Sequence, residues 1–576
     1  MIQPTIISPP TLTFLYQEIR KIVWAFADMA RDNGSGTTED YAKIVIPTCL
    51  IKRTLDLQEE FNQKEAEHIF SLVGITSTPE QALEDLNREY GFYDFKENED
   101  IPRSVILLTW EHLMSFQDNP NGQEVTINLP FNQTYTTTAK NFVEFMFEIS
   151  NSFNKLMNYV LENFEFKQKI LHKGIVPIEN YSFTCHHELS KYKFNMANIS
   201  TDMFSDMYMD LIGRFAHDSG KKGGEFFTPS PLVQSCWAFL GIEEMAQQLI
   251  SGARKSLRIG DPTFGSATFL LYGYDIIMKA CEQIKPGAIS KEAFQFYGQE
   301  LKSFQFCLGL TNMIFHGIID QFNNGISIEH QNSNVITNYK NGIGKFLGLM
   351  DLIVANPPYG TKDYGIDFAM ANKNTDSRWQ WGVPSKQEGE LAFLLTIRDL
   401  LNEQGRAVVV MPLGTLFRDG GSDIRQKLIE EDCVEGIVTL PANMFLTTSI
   451  PVCLWILNRK KKEADKGKIF MINATDDFVK EGKFNKWNDQ NAINAYLARK
   501  TNTGFSDYVD HKTIAENGYN LSVSRYIYKE EVKEVIDLPK LTQETDQLMQ
   551  TISKDMIEMN LIMKQIIKIE NGEQDA

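Results

Sequence analysis

Short apolar runs that each give way to a polar residue, separated by stretches of helical periodicity, constrain this chain more than any other feature. The first four are Ser256 to Gly260, Phe294 to Gly298, Gly325 to Glu329 and Asp351 to Ala355. Runs this short and apolar, bounded by turn residues, read as strands buried on both faces. Their alternation with helices reads as an open, mostly parallel α/β sheet. Further strands are predicted over Ala407 to Met411, Val434 to Leu440 and Val452 to Leu457, with helices over 389–403 and 422–431. In such sheets ligands bind beyond the carboxyl ends of the strands. Asp261, Glu300, Asn332 and Asn356 stand at or just past those ends and are the first candidate site residues.

The run ending at Asp261 passes through Pro262-Thr263-Phe264 into Gly265-Ser266-Ala267-Thr268 and then an amphipathic stretch. That is the pattern of a strand, a tight loop and a helix. The loop has neither the Gly-x-Gly-x-x-Gly spacing of dinucleotide folds nor the Gly-Lys-Ser/Thr of phosphate-binding loops. A carboxylate in place of phosphate-cradling amides suits a cofactor bearing positive charge and hydroxyls, and S-adenosylmethionine has both. Glu300, at the tip of the second strand, is placed to take both ribose hydroxyls. Asn332 and Ser333 are polar groups placed to face an adenine ring.

After Ala355 two prolines stop the strand, because neither carries the donor that a ladder needs. Asn356-Pro357-Pro358-Tyr359 then offers an amide, a backbone carbonyl whose direction the prolines fix, and an aromatic ring within four residues. This set suits a flat, conjugated amino group held by acceptors while its ring stacks on an aromatic face.

A chain of 576 residues exceeds what one core organises, so two or three domains are expected. No run approaches the ~18 apolar residues that span a bilayer, and Met1-Ile2-Gln3-Pro4 has no signal pattern, which predicts a cytoplasmic protein without membrane contact. Seven scattered cysteines without a CxxC pair are expected to be reduced and buried. Cys185-His186-His187 is a local cluster with no second ligand group, and no metal is expected there. The formal charge of −18 repels phosphate backbones overall. A nucleic-acid surface must then be local or lent by a partner, with Arg459-Lys460-Lys461-Lys462 and Lys221-Lys222 as candidate patches.

Residues 1 to about 170 carry helical periodicity, seen in Leu15, Ile19, Ile22, Val23 and Phe26 and again from Tyr41 to Leu55. Pro47 is expected to kink or divide the second helix. Thr38 is expected to precede it, with Tyr41 at the capping-box position and hence no full box. His217 to Gly224 reads as a basic hinge ending in Glu225-Phe226-Phe227-Thr228-Pro229-Ser230, ahead of a helix over Pro231 to Leu240. Trp379-Gln380-Trp381, in a long polar stretch, reads either as a lid or DNA wedge or as a satellite packing cluster. Between Leu541 and Ile569, residues Leu548, Ile552, Met559, Ile562, Ile566 and Ile569 recur at helical spacing, a stripe expected to pack against a partner.

These residues together resemble the modification subunits of type I restriction-modification systems, which are adenine-N6 DNA methyltransferases. Gly223-Gly224-Glu225-Phe226-Phe227-Thr228-Pro229 is similar to the family's Gly-Glu-Phe-Phe/Tyr-Thr-Pro box. Asp261-Pro262 through Phe269-Leu270 resembles its cofactor loop, and Asn356 to Tyr359 its catalytic loop. Thr263-Phe264 and Ala267-Thr268 depart from the smaller residues common there, and Asn332 stands where many relatives have Asp. The resemblance implies a Rossmann-like S-adenosylmethionine-dependent methyltransferase domain over 171–475. An all-helical amino-terminal domain (1–170) precedes it, and a C-terminal region (476–576) ending in a partner-docking helix follows. It implies that Glu225, Phe226, Phe227, Thr228, Pro229 and Ser230 pack on the methionine end of S-adenosylmethionine. Gly265, Ser266, Ala267 and Thr268 would wrap the cofactor beside Asp261 and Asn332, and Glu300 would hold its ribose. Catalysis would fall to Asn356, Pro357, Pro358 and Tyr359, acting on an adenine flipped from double-stranded DNA.

No segment is large enough to be a target-recognition domain of its own, which with the acidic charge predicts a separate specificity subunit. A second copy of the chain and, where the system has one, a restriction subunit are the further partners implied. Since Asn-Pro-Pro-Tyr also serves enzymes that methylate glutamine amides or guanine amino groups, an RNA or protein methyltransferase stands as an alternative. A catalytically silent scaffold is another.

Overall fold

The structure, a computed structural model, describes residues 12–32, 36–88, 91–95, 101–172, 175–200, 203–204, 207–208, 210–211, 228, 230–318, 343–361, 364–445, 450–481, 484–528 and 537–570. Helix Leu12–Asp32 buries the residues that recur at helical spacing, Leu15, Ile19, Ile22, Val23 and Phe26. Helix Thr38–Ser71 begins one residue earlier than expected, with a complete capping box. Thr37 is its N-cap, whose backbone N–H donates to Asp40 Oδ2 at 2.8 Å while the Asp40 N–H donates to Thr37 Oγ1 at 3.3 Å. A shorter acid thus does what Glu or Gln does in the usual box. Pro47 does not divide this 34-residue helix, in which nearly every residue from Tyr41 to Glu60 is buried. Packing on all sides outweighs the ~3 kcal/mol that an interior proline costs. Two of the cations carried inside are bonded: Lys52 Nζ donates to Asp56 Oδ2 at 2.7 Å, and Arg53 Nη1 to the Ile199 carbonyl at 3.0 Å.

The expectation of an all-helical amino-terminal region is corrected by one hairpin, β1 (Val125–Asn128) and β2 (Thr134–Thr137). Each strand has four residues, and only Tyr135 and Thr137 are buried, too few positions for an alternation to show.

One eight-stranded sheet contains β3 (Leu257–Asp261), β4 (Phe294–Gly298), β5 (Met350–Ala355), β6 (Leu401–Pro412), β7 (Val434–Thr439), β8 (Val452–Asn458), β9 (Lys468–Asn473) and β12 (Ser506–Asp510). A separate ribbon pairs β10 (Phe478–Glu481) with β11 (Phe484–Trp487). The sheet order is β12-β9-β7-β8-β6-β5-β3-β4. Strands β4, β3, β5 and β6 run parallel, and β8 runs antiparallel between β6 and β7.

Side chains of the central strands alternate between two apolar layers. Leu352, Val354, Val408 and Val410 enter one; Ile353, Ala355, Val409 and Met411 enter the other. The first layer is continuous with the amino-terminal helices through residues such as Ile19 and Phe26. The second includes Leu391 and Leu394 of helix Gly389–Leu400 and Ile424 and Leu428 of helix Ser422–Glu430. Burial on both faces is why these strands read as unbroken apolar runs.

The chain divides into two compact units, Met1–Tyr528 and Lys529–Ala576. The second holds helix Leu538–Glu570, on which Leu548, Ile552, Met559, Ile562 and Ile566 are all exposed. No described helix is long and apolar enough to cross a membrane. The strand expected over Gly325 to Glu329 and the hinge at His217 to Gly224 lie outside the described residues.

Candidate active site

Parallel pairing brings three strand ends to one edge of the sheet. Asp261 of β3 lies opposite Gly298 of β4, and Gly260 lies opposite Ile353 of β5. The chain runs from β3 to β4 on one side and later returns to β5 on the other, so β3 marks a topological switch point. Asp261, Glu300 and Asn356 therefore share this edge.

The loop after β3 is bound to the residues after β4. The Gln299 N–H donates to the Asp261 carbonyl at 3.2 Å, and the Phe264 N–H donates to the Gln299 carbonyl at 2.9 Å. Glu300 Oε2 accepts the Gly265 N–H at 3.0 Å, while its Oε1 accepts those of Leu301 and Lys302 at 2.8 and 3.0 Å. Burial raises the Glu300 carboxyl above its ordinary range, against the lowering effect of these three donors. Asp261 Oδ1 accepts the Thr263 N–H at 2.8 Å and its hydroxyl at 3.0 Å. Its Oδ2 is buried with no partner among the described residues. Burial pushes the Asp261 carboxyl up to about 7, which the Thr263 donors offset only in part.

Gly265 and Ala267 both take the left-handed backbone region, with φ of +51° and +63°. Glycine enters it freely, whereas alanine there costs roughly 1 kcal/mol or more. The turn ends in helix Thr268–Ile284, with Ser266 Oγ bonded to Thr268 Oγ1 at 2.7 Å. The buried Asn312 donates to the Ser266 carbonyl at 3.1 Å. The Phe264 ring fills a slot between Gly298 and Gly309, where a methyl group at either glycine would overlap it. The large residue that departs from the family pattern is thus matched by two glycines.

On the other side of β3, Asn356 is held from both ends of its amide. Nδ2 donates to Thr228 Oγ1 at 3.0 Å, and the Tyr359 hydroxyl donates to Oδ1 at 2.5 Å. Thr228 stands two residues ahead of helix Ser230–Ala238. Trp237 docks that helix by donating from Nε1 to the Phe269 carbonyl at 2.9 Å, and its ring occupies the space a side chain at Gly273 would need. Pro357 is buried, and Tyr359 is half-buried with its ring edge-on to Phe445 at 6.3 Å. Burial holds the Tyr359 hydroxyl well above its ordinary range, so it stays a protonated donor. The loop closes at Gly360, whose φ is +65° and whose N–H donates to Glu390 Oε1 at 2.7 Å.

A model of the family described as N-6 DNA methylase matches residues 199–535. The chain belongs to the N-6 DNA methylase family. This family member is 29% identical over 391 residues to the type I restriction enzyme MpnII methylase subunit of Mycoplasma pneumoniae, covering 64% of this chain and 66% of that protein. It is 28% identical over 417 residues to the MjaVII methylase subunit of Methanocaldococcus jannaschii, covering 70% and 66%. The chain thus spans just under two thirds of these relatives' length. Its fold is similar to that of the type I restriction-modification system methyltransferase subunit from Streptococcus thermophilus, with a TM-score of 0.65, 23% identity and coverage of 89% of this chain and 99% of that one.

Among the site residues expected for such a family member, Glu225, Phe226, Phe227, Pro229 and Asn332 lie outside the described residues, and Ser230 is described only as the first residue of its helix. Thr228 is placed against Asn356 rather than against the loop after β3 in the bonds it makes. Sequence reading missed Glu390 and Asn312. Both are buried polar residues on apolar helices, which is the one signal that marks them.

Two segments that offered a surface role carry packed residues. Trp379 is fully buried under the Arg378 guanidinium at 4.6 Å, and Trp381 faces Arg398 at 4.2 Å, so this segment is the satellite cluster and not a lid or wedge. In the basic run, Lys461 is buried and donates to Asp432 at 2.6 Å, and Arg459 donates to Glu431 at 3.0 Å. All seven cysteines are buried free thiols.

Proposed function

We propose that this chain transfers a methyl group from S-adenosylmethionine to N6 of an adenine in duplex DNA, as the modification subunit of a type I restriction-modification complex. The observation that carries the reading is the Asn356 carboxamide, oriented from both ends at the edge of the sheet and followed by a half-buried aromatic ring. An adenine inside a duplex cannot reach this edge and must be flipped out, at a cost of a few kcal/mol. Tyr359 stacks on the flipped base. Asn356 Oδ1 and the Pro357 carbonyl accept the two N6 hydrogens and draw the nitrogen lone pair out of conjugation. Positioning supplies the rate, with no covalent bond to the chain.

The residues after β3 and β4 fit the cofactor on two counts. Asp261 Oδ2 is a buried acceptor with no partner among the described residues, suited to a cationic donor. Glu300 is fixed by three backbone N–H groups and retains lone pairs for ribose hydroxyls. When bound, S-adenosylmethionine supplies an electrophilic methyl group on its sulfonium. Asp261, Gly265, Ser266, Ala267, Thr268 and Glu300 hold it, with Glu225, Phe226, Phe227, Pro229, Ser230 and Asn332 completing the pocket, while Thr228 is bonded to Asn356.

Double-stranded DNA, a separate specificity subunit and a second copy of the chain are the proposed partners. The formal charge of −18 favours a partner that supplies the affinity for phosphate. The exposed stripe on helix Leu538–Glu570 is the docking surface for the specificity subunit.

The chain co-expressed with the products of its neighbouring genes, then incubated with labelled S-adenosylmethionine and DNA, should yield N6-methyldeoxyadenosine after nucleoside digestion. Asn356→Ala should abolish that product while binding the cofactor like the wild type in calorimetry. Label found in protein or RNA but not in DNA would overturn the reading, as would wild-type rates from Asn356→Ala.

A further inference from the structure

We infer that Thr228 is a positioning residue for Asn356, tethering the end of its carboxamide that faces away from the base; this rests on the methyltransferase reading above. A carboxamide has two orientations of nearly equal shape, and only the one with Oδ1 toward the base can accept an N6 hydrogen. The reverse orientation meets a donor with a donor. Contact lengths assign the orientation found. The contact to Thr228 Oγ1 is 3.0 Å, in the range of N–H···O bonds, and the contact to the Tyr359 hydroxyl is 2.5 Å, in the range of O–H···O bonds only.

These two neighbours have different fates once a base arrives. The Tyr359 hydroxyl uses one of the two lone pairs of Oδ1, so that atom is shared with the incoming amine. Thr228 binds the opposite end of the amide, and its contact persists during transfer. It stands two residues ahead of a helix that Trp237 joins to helix Thr268–Ile284. Thr228 therefore holds the amide in place while Oδ1 engages the base.

The test uses the chain in complex with its partner subunits. Thr228→Val keeps the shape and removes the acceptor. It should lower kcat at saturating DNA and cofactor by about 10- to 100-fold, as expected for misplacement of a reacting group. The S-adenosylmethionine Kd, by calorimetry, should stay within about twofold. Thr228→Ala should match Val, and Thr228→Ser, which retains the acceptor, should restore most of kcat.

A cofactor Kd raised tenfold or more in Thr228→Val, with kcat recovered at saturating cofactor, would overturn the proposal in favour of a role in cofactor binding alone. Equal losses in the Ser and Val variants, with a lowered thermal midpoint in both, would overturn it in favour of packing. A wild-type complex that methylates no adenine would remove the underlying function and this proposal with it.

Discussion

Asn356 Oδ1 accepts the Tyr359 hydroxyl at 2.5 Å, so one of the two lone pairs of the acceptor proposed for the adenine amine is taken by the chain's own side chain. In the proposed complex the hydroxyl competes with the base amine for that atom, and the ring beneath it stacks on the base. Tyr359→Phe keeps the ring and removes the competitor. Its kcat/KM for DNA, at saturating cofactor, should equal the wild type or exceed it by up to about tenfold. Tyr359→Ala loses stacking worth about 1–3 kcal/mol and should fall about 10- to 100-fold. A large loss in Tyr359→Phe would assign the hydroxyl a role in transfer.

The proposed contact of Asp261 with the cofactor should make binding depend on pH. Burial raises its carboxyl from an ordinary 3.8 to about 7, so between these values the folded chain holds a proton that the unfolded chain has lost. The stability this confers is complete below the unfolded value and disappears as pH rises through about 7. Binding a cationic cofactor group needs the ionised carboxylate, so affinity runs in the opposite direction. Calorimetry should show S-adenosylmethionine affinity rising by up to about tenfold per pH unit below pH 7 and levelling above it. Asp261→Asn should bind weakly at every pH, without that slope.

Glu390 anchors the loop that carries Asn356 and Tyr359, through the Gly360 N–H at 2.7 Å. Glu390→Ala removes the acceptor from a turn held at positive φ, a loss of about 1–3 kcal/mol. Transfer rates should drop at least tenfold with cofactor affinity unchanged. Glu390→Gln retains an acceptor and should keep most of the rate; matching losses in the two variants would argue for the charge instead of the bond.

Gly309 leaves room for the Phe264 ring, and a methyl group there would also stand 2.9 Å from the Gly265 carbonyl. Gly309→Ala should cost about 1–3 kcal/mol by overpacking. Because the ring belongs to the loop after β3, cofactor binding should weaken along with the thermal midpoint. Phe264→Leu in the same chain should restore part of both, and failure to do so would place the strain elsewhere.

The strand positions were legible because β3, β4 and β5 are buried on both faces and stopped by proline or polar residues, so their limits coincide with changes in composition. Asp261, Glu300 and Asn356 followed from that, since strand ends of a parallel sheet share an edge. Local pattern failed where the partner is remote or where packing overrides propensity. Pro47 stays within a helix because that helix is buried on nearly every side. Trp379 and Lys461 look like surface residues in a polar context, yet each is buried against side chains or carbonyls that tertiary packing delivers.

Sequence alone determined the α/β class, the edge that bears the site and the chemistry of its groups, all consequences of residue type and short-range order. Only the tertiary structure decided how those groups are aimed. Thr228 meets Asn356 across 128 residues, Asn312 meets Ser266 across 46 and Glu390 meets Gly360 across 30. A hydrogen bond needs its atoms placed to within tenths of an ångström. Periodicity along a chain specifies which face a residue occupies, and it carries no information about which distant residue that face will meet.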